Sequence, residues 1–344
     1  MSIKTFIYGQ PQVIETVLRT IPAALPQITP ADSIYLVGSG TSLNALTAVQ
    51  PLMTKLLKAQ IRISGPLAFM TGTVKKPGSN CLAVILSQSG ASTTTIAAVE
   101  HARRCGMRIL TLTAEKESPI CNVSDKILLI PVGTENVGPK TKGYTASVLC
   151  LLLLVLAMAG RKLQAPEFPN ELARLIEQCD PVICDLAEAC AQSDFIMVLG
   201  QERHLGTALE GSLKISEMSG VAAAAFDTEE AFHGRFHGLS SASLALFIAA
   251  TFQQYDMALT GAEVLSDLGV AARILNLAGR PSSIHDLRLP WPRTDPLPEL
   301  DLIHAIVPFQ LLAWYLAKQK GRVPENMRYP NLSNKLQIKT SGVD

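Results

Sequence analysis

Short apolar runs, each followed by a small-residue turn and then by a stretch with helical spacing, alternate along this chain. Residues 33–37 read as a fully buried strand and residues 42–58 as a helix. The alternation continues with a strand at 81–86, a helix at 92–106, and strands at 107–113 and 126–132. The apolar stretch 144–160 fits a largely buried helix. Buried strands separated by helices predict a parallel sheet covered on both faces.

After a Pro-containing segment at 163–170, a long helical pattern runs to about residue 192 and the alternation restarts. A strand at 195–199 ends in Gly200, a helix covers about 205–219, and strands follow at 244–250 and 271–277. The strand and glycine turn at Tyr35–Gly38 are echoed at Met197–Gly200, so two related α/β domains are expected, with a boundary within 161–170. A helix at about 300–320 precedes a tail whose apolar residues, Met327, Leu332, Leu336 and Ile338, predict packing onto the body of the protein.

With 48% hydrophobic and 17% charged residues, the 344-residue chain reads as well-buried globular protein. A net charge of +1 gives no general field for nucleic acid or anionic membrane, and residues 1–30 show no helix-turn-helix pattern. The longest apolar stretch, 146–160, falls short of the ~18 residues of a membrane span. No signal core follows Met1, so a cytoplasmic location is expected. The seven cysteines are scattered without a CxxC pair, which predicts reduced thiols and no structural zinc.

Two turns carry the first candidate chemistry: Gly38-Ser39-Gly40-Thr41-Ser42 and Ser87-Gln88-Ser89-Gly90-Ala91-Ser92. Each follows a strand and opens a helix. A helix start offers unpaired N–H groups and the positive end of the helix dipole to an anion. Glycines let the backbone approach, and the hydroxyls of Thr41, Ser42, Ser87, Ser89 and Ser92 add neutral donors. A releasable phosphate-bearing metabolite fits this better than a structural ion. The competing reading of the second turn is an ordinary turn with N-cap serines. A dinucleotide site is disfavoured, because Leu43 stands where a third glycine belongs and no acidic residue follows the strand at 61–64.

In the second half, Glu210, Lys214 and Glu217 recur at i, i+4 and i+7 on one helical face, among Gly206, Ala208, Gly211 and Ser212. A solvated charged stripe is the plain alternative, but so much glycine and alanine suggests close approach by other elements. Sixteen residues beyond Glu217 lies His233, with His237 nearby. Histidine is the natural proton shuttle near neutrality, and side-chain chemistry alone does not choose between the two.

As an ordered set, the two turns, the segment 208–217 and His233-Gly234 resemble the tandem sugar isomerase (SIS) domains of the isomerase half of glucosamine-6-phosphate synthase. They resemble stand-alone fructosamine-6-phosphate deglycases and related phosphosugar isomerases still more closely. The resemblance implies an α/β fold of two tandem SIS domains, each a three-layer sandwich. The first would span 1–165 and bind phosphate, the second 166–322 and carry the acid/base residues, and the tail 323–344 would pack near the active site. It implies phosphate binding by Gly40, Thr41, Ser42, Ser87, Gln88, Ser89 and Ser92. Glu217 would move a proton and His233 would open the sugar ring, with no cofactor or metal, in a homodimer with shared active sites.

Three departures from the family pattern stand out. No glutaminase domain occurs within the chain, so ammonia from glutamine is not expected. Arg235 replaces the usual Pro after His-Gly and adds a cation that could meet a substrate carboxylate. Lys335 sits one place later than the family's C-terminal lysine. The expected function is deglycation of a 6-phosphorylated fructosyl- or glucosyl-amino acid to hexose 6-phosphate and free amine. Aldose–ketose or aminating isomerisation of a hexose 6-phosphate is the enzymatic alternative, and a non-catalytic sugar-phosphate sensor the second.

Overall fold

The computed structural model describes residues 2–72, 80–292 and 297–340. The chain divides into two compact units. The first comprises Gln12–Glu135, Lys142–Ala165 and the chain from Tyr329 onward. The second comprises the stretch up to Pro11, Asn136–Thr141 and Pro166–Arg328, so residues before Gln12 group with the C-terminal half.

The first unit is built on five parallel strands: β1 Ser33–Val37, β2 Gln60–Ser64, β3 Cys81–Leu86, β4 Arg108–Thr113 and β5 Lys126–Leu129, in the order β2-β1-β3-β4-β5. β3 is buried at every residue, which accounts for its unbroken apolar run. Alternate side chains feed two layers. Tyr35, Val37, Ala83 and Ile85 pack with Ala98, Val99 and Ala102 of the helix Thr93–Arg104. The helix Thr41–Leu56 instead packs against Lys142–Met158, which is buried along nearly its whole length.

The second unit has four parallel strands: β6 Phe195–Leu199, β7 Ala222–Phe226, β8 Ser243–Ala249 and β9 Ala271–Asn276, in the order β7-β6-β8-β9. This is the winding of β2-β1-β3-β4 in the first unit. β7 was not visible in the sequence, because Ala-Ala-Ala-Ala-Phe has helical propensity; in the fold it is drawn into the ladder by β6, with Phe195 opposite Ala222. The helix Asp301–Gln319 lies against Arg203–Ser219 and Phe168–Ala189. Within Pro298–Gln319 the chain is long and apolar enough to cross a bilayer, yet 89% of its apolar window is buried inside the protein.

Candidate functional site

In the first unit, β1 lies between β2 and β3, so the connections leaving β1 and β3 depart toward opposite edges of the sheet. The crevice beyond the carboxyl ends at such a switch point is where open α/β sheets bind ligands. Val37 pairs with Ile85, so the two Ser/Thr turns emerge side by side there. A Cβ on Gly38 would lie 3.2 Å from both the Leu43 amide nitrogen and the Leu86 carbonyl oxygen, a crossing tighter than most side chains meet, which favours glycine there. Gly40 holds φ 54° and ψ −130° immediately before the helix Thr41–Leu56, and Ser42 is buried in its first turn.

The second turn is fixed by the end of β4. Ser87 donates its N–H to Leu112 O at 3.0 Å, and Gln88 O accepts from Ala114 N at 3.0 Å and Thr113 Oγ1 at 3.2 Å. Ser89 Oγ accepts from Ala91 N. Gly90 has φ 62° and is packed so tightly that a Cβ would lie 2.1 Å from Ser118 Oγ. Ser92 is an N-cap: its Oγ accepts from Thr95 Oγ1 at 2.9 Å and Thr95 N at 3.4 Å, so the plain capping reading holds for this residue. The Gln88 side chain lies over Gly143, where a Cβ would sit 1.6 Å from Gln88 Nε2. At that helix start, buried Glu135 accepts from Lys142 N at 3.1 Å and Gly143 N at 2.9 Å. An internal carboxylate therefore takes the N-terminus of Lys142–Met158, a cap with no Ser/Thr spacing to announce it.

The tail is seated on this same turn. Thr93 N donates to Ile338 O at 3.2 Å, Thr93 Oγ1 to Gln337 O at 3.0 Å, and Thr340 N to Ala91 O at 2.9 Å. Lys335 is exposed on the short helix Leu332–Lys335, two residues before Gln337. On the tail's side the attachment is made by backbone groups, which meet backbone N–H and C=O groups and the Thr93 hydroxyl of the turn. Met327, Leu332, Leu336 and Ile338 are only partly covered, at 41–59% exposed.

The charged face of the helix Arg203–Ser219 is an internal cluster, not a solvated stripe. Lys214 Nζ lies 3.4 Å from Glu210 Oε1 and in contact with Glu217 Oε2. Glu210 and Lys214 are fully buried, while the Glu217 side chain is 23% exposed. Burial alone would lower the Lys214 pKa, but the two carboxylates hold it above its ordinary value, so the lysine stays charged. Gly211 admits the Phe309 ring, which a Cβ would meet at 2.7 Å, explaining why this helix tolerates glycine.

His233 is the exposed C-cap of Thr228–Phe232, a helix opened by Asp227, whose Oδ1 accepts from Glu229 N and Glu230 N. Among the described residues no hydrogen bond or ion pair joins His233 to Glu217. His237 is also exposed. Arg235 sits 3.9 Å from Glu230 and stacks 4.8 Å from the Phe226 ring centroid. Sequence reasoning did not find the buried pair Arg203–Asp301, whose guanidinium donates to both carboxylate oxygens at 3.0 and 2.6 Å, with His204 Nε2 3.2 Å away. These partners are 98 residues apart. Among the described residues, no three His, Cys, Asp or Glu side chains gather as a metal site.

Residues 27–157, within the first unit, match the SIS domain family. Over 96% of its length it is 26% identical to glutamine–fructose-6-phosphate aminotransferase (isomerizing) from Thermococcus kodakarensis, covering 57% of that protein. The corresponding enzyme of Caldanaerobacter subterraneus is 25% identical over 89% of this chain and 52% of its own length. The chain thus spans about half the length of the curated relatives it matches. In fold it is similar to a protein assigned as a phosphosugar isomerase from Clostridium difficile, with TM-score 0.88, 24% identity and complete coverage of both chains. Glucosamine-6-phosphate deaminase from Thermotoga maritima shares the fold at TM-score 0.78 and 22% identity, over 95% of this chain and 98% of that one.

Proposed function

We propose that this chain is a sugar-phosphate-processing enzyme that cleaves a 6-phosphofructosyl- or 6-phosphoglucosyl-amino acid to a hexose 6-phosphate and a free amine. The observation that carries the reading is the adjacency of β1 and β3 at the switch point of the first sheet, which brings the ends leading into the two Ser/Thr turns side by side; Gly40, Ser42, Ser87 and Ser89 are the phosphate-binding candidates on those turns. Thr41 and Gln88 complete the phosphate-binding set, Ser92 caps the helix that follows its turn, and Lys335, carried by the tail on that turn, adds a cation.

Glu217 is the proton carrier. It is the least buried member of its cluster and lies in contact with the Lys214 ammonium, at the edge where a substrate can reach a general base. His233 opens the sugar ring, and its exposed position suits a histidine supplied to the neighbouring subunit of a homodimer. Glu217 then takes the proton from one of the first two sugar carbons and returns it to the other. The resulting imine is hydrolysed by water. Arg235 is the candidate contact for the carboxylate of the amino-acid part. The enzyme acts in the cytoplasm, with neither nucleic acid nor membrane as partner.

The relatives' names support a second reading, aldose–ketose or aminating isomerisation of hexose 6-phosphate, which uses the same proton shift. Turnover should be assayed with phosphorylated fructosyl- and glucosyl-amino acids, and separately with fructose 6-phosphate plus ammonia. Free amine from the adducts supports the deglycase; product only from fructose 6-phosphate replaces it with the isomerase. Binding of all candidates with turnover of none would leave a sensor.

A further inference from the structure

The first unit contains a second concavity, of about 980 Å³, that takes no part in the proposed reaction. Its floor is the last turns of the helix Lys142–Met158, with Leu153, Leu154 and Ala157, and its wall is the apolar segment that includes Leu25, Pro26 and Ile28. That segment leads into β1, so the concavity lies at the amino end of the sheet, opposite the Ser/Thr turns. The volume is at the upper end of the range for small-molecule sites.

The wall is held in place from outside the cavity. Arg108 donates to Thr29 O and Pro30 O, both at 2.8 Å, and Lys126 Nζ donates to Gln27 O at 3.1 Å. Pro22, Pro26 and Pro30 restrict the same stretch further. A pre-formed wall reduces the ordering cost of binding.

The charged residues of the lining have one sign. Arg161 and Lys162 belong to it, and no acidic residue does. Both cations are exposed, and among the described residues neither side chain is engaged in an ion pair. A largely apolar concavity whose lining includes two cations and no acidic residue is complementary to a molecule with an apolar body and one anionic head.

We propose that this concavity is a binding site for an anionic amphiphile of the fatty-acid class, with its chain along Leu153, Leu154 and Ile28 and its carboxylate at Arg161 and Lys162. The site is separate from the phosphate-binding turns, so its ligand does not compete with sugar phosphate. The proposal stands independently of the reading of the catalytic residues.

Calorimetric titration of the full chain with octanoate, decanoate and dodecanoate below their micellar concentrations tests it. Binding should tighten about fourfold per added methylene, as expected for burial of each CH₂, and saturating fructose 6-phosphate should leave it unchanged. Arg161→Ala with Lys162→Ala should weaken dodecanoate at least tenfold while leaving dodecanol within twofold. Ala157→Trp, which adds bulk at an exposed position on the floor, should abolish binding of both. Three results would overturn the proposal: no binding by the intact protein, equal affinity for the acid and the alcohol, or loss of a self-associated form in Ala157→Trp without any ligand binding. The last would assign the trough to a second copy of the chain.

Discussion

Gly40 and Glu202 occupy the same unusual backbone conformation at the same point of the two units. Each precedes the helix that follows the first strand of its sheet, with φ 54°, ψ −130° at Gly40 and φ 50°, ψ −122° at Glu202. Glycine adopts this geometry freely, whereas a glutamate there is strained by about 1–3 kcal/mol. Glu202→Gly should therefore stabilise the protein by about 1 kcal/mol after the entropy cost of glycine, measured by chemical denaturation. Gly40→Ala, with open space around its Cβ but the same positive φ, should destabilise and weaken hexose phosphate binding.

The buried cluster on the helix Arg203–Ser219 separates catalysis from stability. Glu217→Gln should reduce turnover by at least ~10²-fold, the contribution of a positioned acid–base group, while hexose 6-phosphate still binds within a few-fold of the wild-type affinity. Substantial retained turnover would remove Glu217 from the mechanism.

Lys214→Met leaves Glu210 buried opposite an apolar side chain, which should cost roughly 3–5 kcal/mol in unfolding free energy. Adding Glu210→Gln to that variant should recover much of the loss, because the stranded charge is then gone. A double-mutant cycle by denaturant titration measures the coupling.

His304 gives the protein a predictable acid sensitivity. Buried against Phe168, with its Nε2 lacking a hydrogen bond among the described residues, it is pushed by desolvation down to about 4, from 6.5 when unfolded, with Asp301 opposing the shift. Because the folded pKa is the lower one, the unfolded state binds more protons between these values. Stability from this group is complete above about 6.5 and is lost as pH falls toward 4, by up to about 3 kcal/mol. Melting temperature should fall over this window and fall less steeply in His304→Phe. Asp301, held down to about 2 by His204 and Arg203 against its own desolvation, adds a further loss below about 3.8.

Gly143→Ala tests Gln88. The added Cβ meets the far end of a flexible side chain, so the fold should persist while Gln88 is displaced from its place over the helix start. KM for a phosphorylated substrate should rise about tenfold, an amount equal to one hydrogen bond of ~1.4 kcal/mol, with kcat little changed.

The sheets and the order of the two turns were legible in the sequence because their cause is local: buried apolar strands, glycine turns, and helices with regular spacing. β7 was not, since alanines carry no strand signal and only pairing with β6 decides their conformation. The spacing of Glu210, Lys214 and Glu217 gave their common face but not its burial, which depends on Phe309 and the rest of a helix about 90 residues downstream. The tail's apolar residues suggested packing, yet the tail is held through its own backbone groups, which no side-chain pattern reveals. Glu135 capping and the Arg203–Asp301 pair likewise join residues with no periodic relation.

A crystal structure of the protein with fructose 6-phosphate tests the central claim most directly. The account predicts phosphate oxygens within 2.7–3.2 Å of donors from both turns, the one around Thr41 and Ser42 and the one at Ser87–Ser89. A phosphate bound elsewhere, with those hydroxyls turned to solvent, would contradict it.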